Sequence, residues 1–275
     1  MPGRTSSVPG IRPSGHSDLR YPTRVPAMLA TAVAAVRSVA AYVLAAVYCA
    51  IAGPIGLLVA VPLEWKGLLY VLGHGGAALA LGVAGIRYRV AGRAHVPKDR
   101  AVVFCANHQS NVDPPVLYRA LHPRLHILFK AELRKLPILG RVMETGGFVP
   151  VDRAKRDEAL AAIERAAASI RQGNSFLIFP EGTRSRTAEL LPFKKGGFIM
   201  AIRAQAPIVP VAITGGRAAM RKGSAIVRPV MVSVRIGPPV ETAGRTPADR
   251  DEVVAEVRAA IEQLIAQGPV VAGER

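Results

Sequence analysis

Aromatic residues are scarce in this chain of 275 residues: they make up 5% of it, while hydrophobic residues of all kinds make up 50%. Ala, Val, Leu and Ile carry the difference, which suits helices and buried strands and excludes a disordered composition. The scarcity also argues against a nucleic-acid partner, since such surfaces set aromatic side chains beside the basic ones for bases to stack on. Cysteine is nearly absent. Cys49 lies in a long apolar segment and Cys105 in an expected strand, neither with a companion at ligand spacing, so no metal site and no disulfide framework are expected. Both read as buried, reduced thiols. Acidic residues are few as well: 19 Asp and Glu against 36 Lys and Arg leave a formal net charge of +17. Such a surface attracts phosphate groups, whether of anionic lipid, a phosphorylated cofactor or nucleic acid. The chain has no G-x-S-x-G elbow, the usual setting of a nucleophilic serine in a lipase or thioesterase.

What is present begins with a segment, residues 1–26, carrying five prolines among Gly, Ser and Arg. It has no periodic apolar face and is expected to be a disordered tail. From Ser38 to Leu63 no residue is charged over 26 positions, more than the roughly 20 a helix needs to cross a bilayer. Gly53 and Pro54 sit in the middle, where a kink or a reversal is expected. After Glu64-Trp65-Lys66 a second uncharged stretch runs from Gly67 to Ile86, weaker because it holds six glycines and His74. Two such stretches joined by a short turn predict a membrane-attached helical hairpin over 27–86. Arg-rich flanks on both sides favour a hairpin whose two ends face the cytoplasm, and they weigh against the rival reading of a cleaved signal peptide.

From Ile86 onward, short apolar runs alternate with helical patterns. Strands are expected at 86–90, 101–106, 126–129, 148–151, 175–179, 208–213 and 230–236. A helix over Asp157–Gln172 places Leu160, Ile163, Ala167 and Ile170 on one face and stops at Gly173, a residue suited to a left-handed cap. Thr246, Pro247 and Asp249 announce a last helix with an apolar stripe of Val253, Val254, Val257, Ile261, Leu264 and Ile265. Residues 87–275 therefore read as one α/β domain, a mixed, largely parallel sheet flanked by helices. In such folds chemistry gathers just beyond the strand ends.

Two clusters lie there. The strand ending at Ala106 runs into Asn107-His108-Gln109-Ser110-Asn111-Val112-Asp113, then Pro114-Pro115. If the loop folds back, the Asp113 carboxylate accepts a hydrogen bond from His108 Nδ1 and leaves the other ring nitrogen as a base for a hydroxyl. A plain N-cap role for Asp113 is the structural alternative. The second cluster, Phe179-Pro180-Glu181-Gly182-Thr183-Arg184-Ser185, also follows an apolar strand and reads as an anion cradle, with Gly182 allowing close backbone approach and Arg184 gripping a phosphate. The alternative is a charged turn with Glu181 and Arg184 paired in solvent.

In that order the two clusters resemble the glycerolipid acyltransferase family, to which the bacterial 1-acylglycerol-3-phosphate (lysophosphatidic acid) acyltransferases belong. Gly147–Arg153 resembles the family's glycine-to-arginine block and Ile208–Val211 its apolar proline-containing block, so the resemblance covers about Val90 to Ile236. Pro150 departs from the pattern, standing where the family often has an aromatic or aliphatic residue.

The resemblance implies His108 as general base and Asp113 as its partner. It implies Arg153 and Arg184 as ligands of the acceptor's phosphate, with Glu181, Gly182 and Thr183 shaping that site and backbone N–H groups near Gly182 facing the oxyanion. Lys130, after the third expected strand, stands where the family often has a basic residue near the catalytic pair; a solvated lysine is the alternative. Lys194 and Lys195 are either phosphate neighbours or surface charge. The implied reaction moves a fatty acyl group from acyl-CoA or acyl-carrier protein to the free hydroxyl of lysophosphatidic acid at an anionic membrane, without a cofactor. Another lysolipid acceptor, or a lipid hydrolase using Ser110 or Ser185, are the alternatives.

Overall fold

All seven apolar runs between Ile86 and Ile236 form strands, and the strands share one sheet. The computed structural model describes residues 27–152, 155–187 and 189–274, so the expected tail at 1–26 lies outside the described residues. In chain order, α1 (Ala27–Ala60) and α2 (Gly67–Ala84) precede β1 (Ile86–Ala91), β2 (Val103–Ala106), α3 (Asp113–Ala120), β3 (Leu125–Lys130), α4 (Pro137–Thr145) and β4 (Val149–Val151). Then follow α5 (Arg156–Arg171), β5 (Ser175–Ile178), α6 (Gly196–Ala204), β6 (Ile208–Thr214), α7 (Gly216–Ala219), β7 (Val230–Ile236) and α8 (Arg250–Ala266). The strand order is β1-β7-β6-β2-β5-β3-β4, and every neighbouring pair is parallel except β6 and β7.

The strands are apolar throughout because both faces of the sheet are covered. Phe104 of β2 and Leu177 of β5 point to one face, where they pack with Leu81 of α2, Val116 and Leu117 of α3 and Ala219 of α7. Val103, Cys105, Phe176 and Ile178 point to the other, against Ala166 and Ile170 of α5, Phe198 and Ile202 of α6, and Val257 and Ile261 of α8. Each large apolar side chain so buried contributes roughly 1.5–3 kcal/mol.

The helix ends follow their local chemistry. Gly173 takes φ +93° just beyond α5, and Thr246 with Asp249 forms a reciprocal capping box ahead of α8. The buried stripe of α8 is Val253, Val257, Ile261 and Leu264. Helix α5 departs from its expected face: Leu160 is 42% exposed, and Ala162 and Ala166 are buried instead, small residues that bring α5 close to the sheet.

The hairpin also differs in detail from expectation. Helix α1 continues through Gly53 and Pro54, and the chain reverses later, around Val61–Lys66. Gly53 serves contact rather than bending, since a Cβ there would come within 2.4 Å of Ile138 in α4. Small residues spaced along one side of α1, Ala34, Ser38 and Ala41, are buried, and Ser38 Oγ accepts the Val227 N–H at 2.7 Å. From α2, Tyr70 donates to the Gly146 carbonyl at 2.6 Å and lies 3.0 Å from His126 Nε2, while His74 stacks on Tyr118. Both helices are long and apolar enough to cross a membrane, and most of α1's outer surface is exposed.

Candidate active site

Strand β2 lies between β5 and β6, both parallel to it, so the loops after all three strands emerge at one edge of the sheet. This brings together His108 after β2, Glu181–Arg184 after β5 and Gly215–Gly216 after β6. Asn107 locks the junction: its side chain donates to the Ile213 carbonyl at 3.0 Å and accepts the Ile213 N–H at 2.7 Å.

His108 Nδ1 lies 2.9 Å from Asp113 Oδ2. The same oxygen accepts the N–H groups of Gln109 (2.6 Å) and Ser110 (2.7 Å). Asp113 therefore opens α3 yet turns its carboxylate back onto the preceding loop, and the plain N-cap alternative does not describe it. The carboxylate is fully buried, while the His108 side chain keeps 15% of its surface exposed. An acceptor on the Nδ1 side assigns the proton to Nδ1. Nε2 then carries the free lone pair, with no partner among the described residues. Phe179 stacks on the imidazole at 4.1 Å between ring centroids and holds one face of the ring.

Asp113 Oδ1 is buried with no hydrogen-bond partner among the described residues. It faces Gly216, where a Cβ would stand 2.1 Å from it. A buried carboxylate oxygen left without a partner costs stability.

Glu181 is only 3% exposed and does not pair with Arg184 in solvent. One carboxylate oxygen accepts the His108 N–H at 2.7 Å and the other the Leu191 N–H at 3.1 Å. Burial pushes its carboxyl above the usual value, against the pull of those two bonds. Glu181 thus supports the histidine loop from behind. Ser185 N–H adds a bond to the His108 carbonyl at 2.8 Å.

Gly182 has φ +68°, a left-handed conformation that favours glycine, and its close neighbour is the flexible end of the Lys194 side chain. Its N–H donates to the Phe179 carbonyl, which commits that amide to the turn and not to an oxyanion. The Thr183 and Arg184 amides that follow have no acceptor among the described residues. Arg184 is half-buried and makes no ion pair with a described residue. Lys130 lies at the end of β3, 72% exposed and 2.9 Å from Glu132; Lys195 pairs with Asp251 on the surface. Arg153 lies outside the described residues. Ser110 and Ser185 are both buried, their hydroxyls spent on the carbonyls of Met220 and Glu189.

Sequence reading missed four groups that the fold delivers: Asn107, Phe179, Gly216 and Lys222. The first two open the two clusters, where no role was assigned to them. Gly216 and Lys222 come from the segment after β6, and only the sheet order shows that it borders the histidine.

A helix-flanked, mostly parallel sheet carries a His–Asp pair at its carboxyl edge, and the comparisons give its class: this chain belongs to the acyltransferase family and is an enzyme of that kind. The model of that family, described simply as acyltransferase, matches residues 87–214. An uncharacterized acyltransferase of Schizosaccharomyces pombe is 30% identical over 192 residues, 69% of either chain. The 1-acyl-sn-glycerol-3-phosphate acyltransferase of Limnanthes douglasii is 34% identical over 195 residues, 68% of either chain. In fold, the chain is similar to the crystal structure of the 1-acyl-sn-glycerophosphate (LPA) acyltransferase of Thermotoga maritima, with a TM-score of 0.74 over 86% of this chain and 98% of that one, at 24% identity.

Proposed function

We propose that the chain acylates lysophosphatidic acid to phosphatidic acid, taking the acyl group from acyl-CoA or acyl-carrier protein, at a membrane that the hairpin holds against the cytoplasm-facing α/β domain. The observation that carries this reading is the free Nε2 of His108, on a ring whose Nδ1 is fixed by a buried carboxylate. The relatives named for the same reaction support the choice of acceptor.

The acceptor's hydroxyl oxygen attacks the thioester carbonyl as its proton passes to His108 Nε2. The new C–O bond forms, the tetrahedral intermediate collapses with cleavage of the C–S bond, and the imidazolium returns the proton to the departing thiolate. Asp113 stabilises the imidazolium without taking its proton. No acyl-enzyme and no cofactor enter. In this reading Arg184 and Arg153 hold the acceptor's phosphate, Lys130 supplements their field, and the free amides after Gly182 face the oxyanion. The serine-hydrolase alternative loses its nucleophiles, because both candidate hydroxyls are buried and spent on carbonyls.

Purified protein given labelled acyl-CoA and a panel of lysolipids is expected to yield a product of phosphatidic acid mass. His108→Ala should lower turnover by about 10²–10⁴-fold while the unfolding midpoint stays put. Wild-type turnover in that variant, or release of free fatty acid without any acceptor, overturns the reading.

A further inference from the structure

We propose that Lys222, on the loop after α7, is a headgroup-binding residue of the acceptor site, supplying a cation beside Arg184 for a phosphate monoester. The inference rests on the acyltransfer reading above and extends it to a residue outside both motif clusters.

Lys222 Nζ donates to Thr183 Oγ1 and to the Arg184 carbonyl, each at 3.0 Å. Both acceptors are neutral. An ammonium has three N–H donors, so one stays available. No described carboxylate pairs with Lys222 or with Arg184, and the acid of the same turn, Glu181, has both oxygens committed to backbone N–H groups. Lys222 is thus anchored by its ammonium to the turn that carries Arg184, and neither side chain has a counter-charge among the described residues, so an anionic ligand bound at this turn would gain from both.

The position relates this charge to the chemistry. The peptide unit joining Arg184 to Ser185 takes Lys222 on its carbonyl and gives its N–H to the His108 carbonyl at 2.8 Å. Lys222 therefore stands one peptide unit and two hydrogen bonds from the histidine backbone. The loop that carries it is tied at several points: Ser110 Oγ donates to the Met220 carbonyl, Arg228 N–H to the Ala219 carbonyl at 2.7 Å, and Val227 N–H to Ser38 of α1. A cation on so constrained a loop is oriented before the acceptor arrives, which is where its advantage over a mobile surface lysine lies.

The test uses the full chain in lipid–detergent micelles, with Lys222→Met and Lys222→Arg beside wild type, and varies lysophosphatidic acid and acyl-CoA separately. Loss of a charge-assisted bond to phosphate predicts an acceptor KM raised about tenfold or more in Lys222→Met, with an unchanged KM for acyl-CoA and substantial rescue in Lys222→Arg. An acceptor KM equal to wild type overturns the proposal while leaving the acyltransfer reading intact. So does a fall in kcat alone, shared by both variants, which would mark Lys222 as a brace for the turn. Absence of lysophosphatidic acid acylation in wild type removes both readings together.

Discussion

Asp113 makes its three bonds through one oxygen while the other presses on Gly216, so the aim of the His108 ring depends on a residue with no side chain. A methyl at 216 would stand 2.1 Å from Oδ1 of a fully buried carboxylate, so the carboxylate or the chain at 216 must shift. Gly216→Ala is therefore expected to lower kcat by about 10²-fold, the scale that a misplacement near 1 Å produces. Secondary structure by circular dichroism should stay as in wild type. Turnover within a factor of two of wild type would show that the carboxylate's position is not set by Gly216. This dependence was not legible in the sequence: His108 and Asp113 stand close in the chain and their pairing follows from the loop between them, whereas Gly216 reaches them only through the adjacency of β2 and β6.

At the level of elements, the seven strands and the caps of α5 and α8 were legible because each rests on neighbours in the chain: an apolar run, a glycine after a helical stripe, a Thr-Pro-x-Asp start. The short helices α4 and α6 carry too few turns for a periodicity to show, and the exposure of Leu160 reflects how closely the alanines of α5 approach the sheet. Docking of α2 was equally hidden, since Tyr70 meets His126 and Gly146 across a large stretch of chain.

That contact gives a pH-dependent prediction. Burial lowers the His126 pKa from 6.5 to about 4. The unfolded chain takes up a proton there below pH 6.5 and the folded protein does not until about pH 4, so the neutral ring's contribution is complete above 6.5 and is lost as pH falls through that window. Stability should drop on the order of 1–3 kcal/mol between pH 7.5 and 4.5 from this residue. Thermal unfolding of His126→Asn should show a flatter pH dependence than wild type over that range. Parallel curves would place the proton sensitivity elsewhere.

For the molecule as a whole, two forces could hold it at a bilayer, and their magnitudes rank them. The net charge of +17 attracts anionic headgroups at about 1 kcal/mol per basic residue near the surface, a contribution that salt screens. Helix α1 exposes eleven large side chains of apolar character, among them Met28 at 88% and Leu58 at 75%, each contributing its exposed share of the roughly 1.5–3 kcal/mol that full burial gives when lipid covers it. Leu133, Leu136 and Leu139 are exposed on and beside α4, the helix that α1 packs against. The apolar contribution dominates, so flotation with vesicles should persist at 1 M salt as well as at low salt, on neutral and anionic lipid alike. Replacing Val36, Val43 and Leu58 together by Asp places three charges on the exposed side of α1, away from the buried side that holds Ala34, Ser38 and Ala41. That variant should fail to float yet keep turnover on a short-chain, water-soluble lysophosphatidic acid, because its His108 loop and α1 contacts are untouched. Release of the wild-type protein by salt alone would reverse the ranking and make the basic surface the anchor.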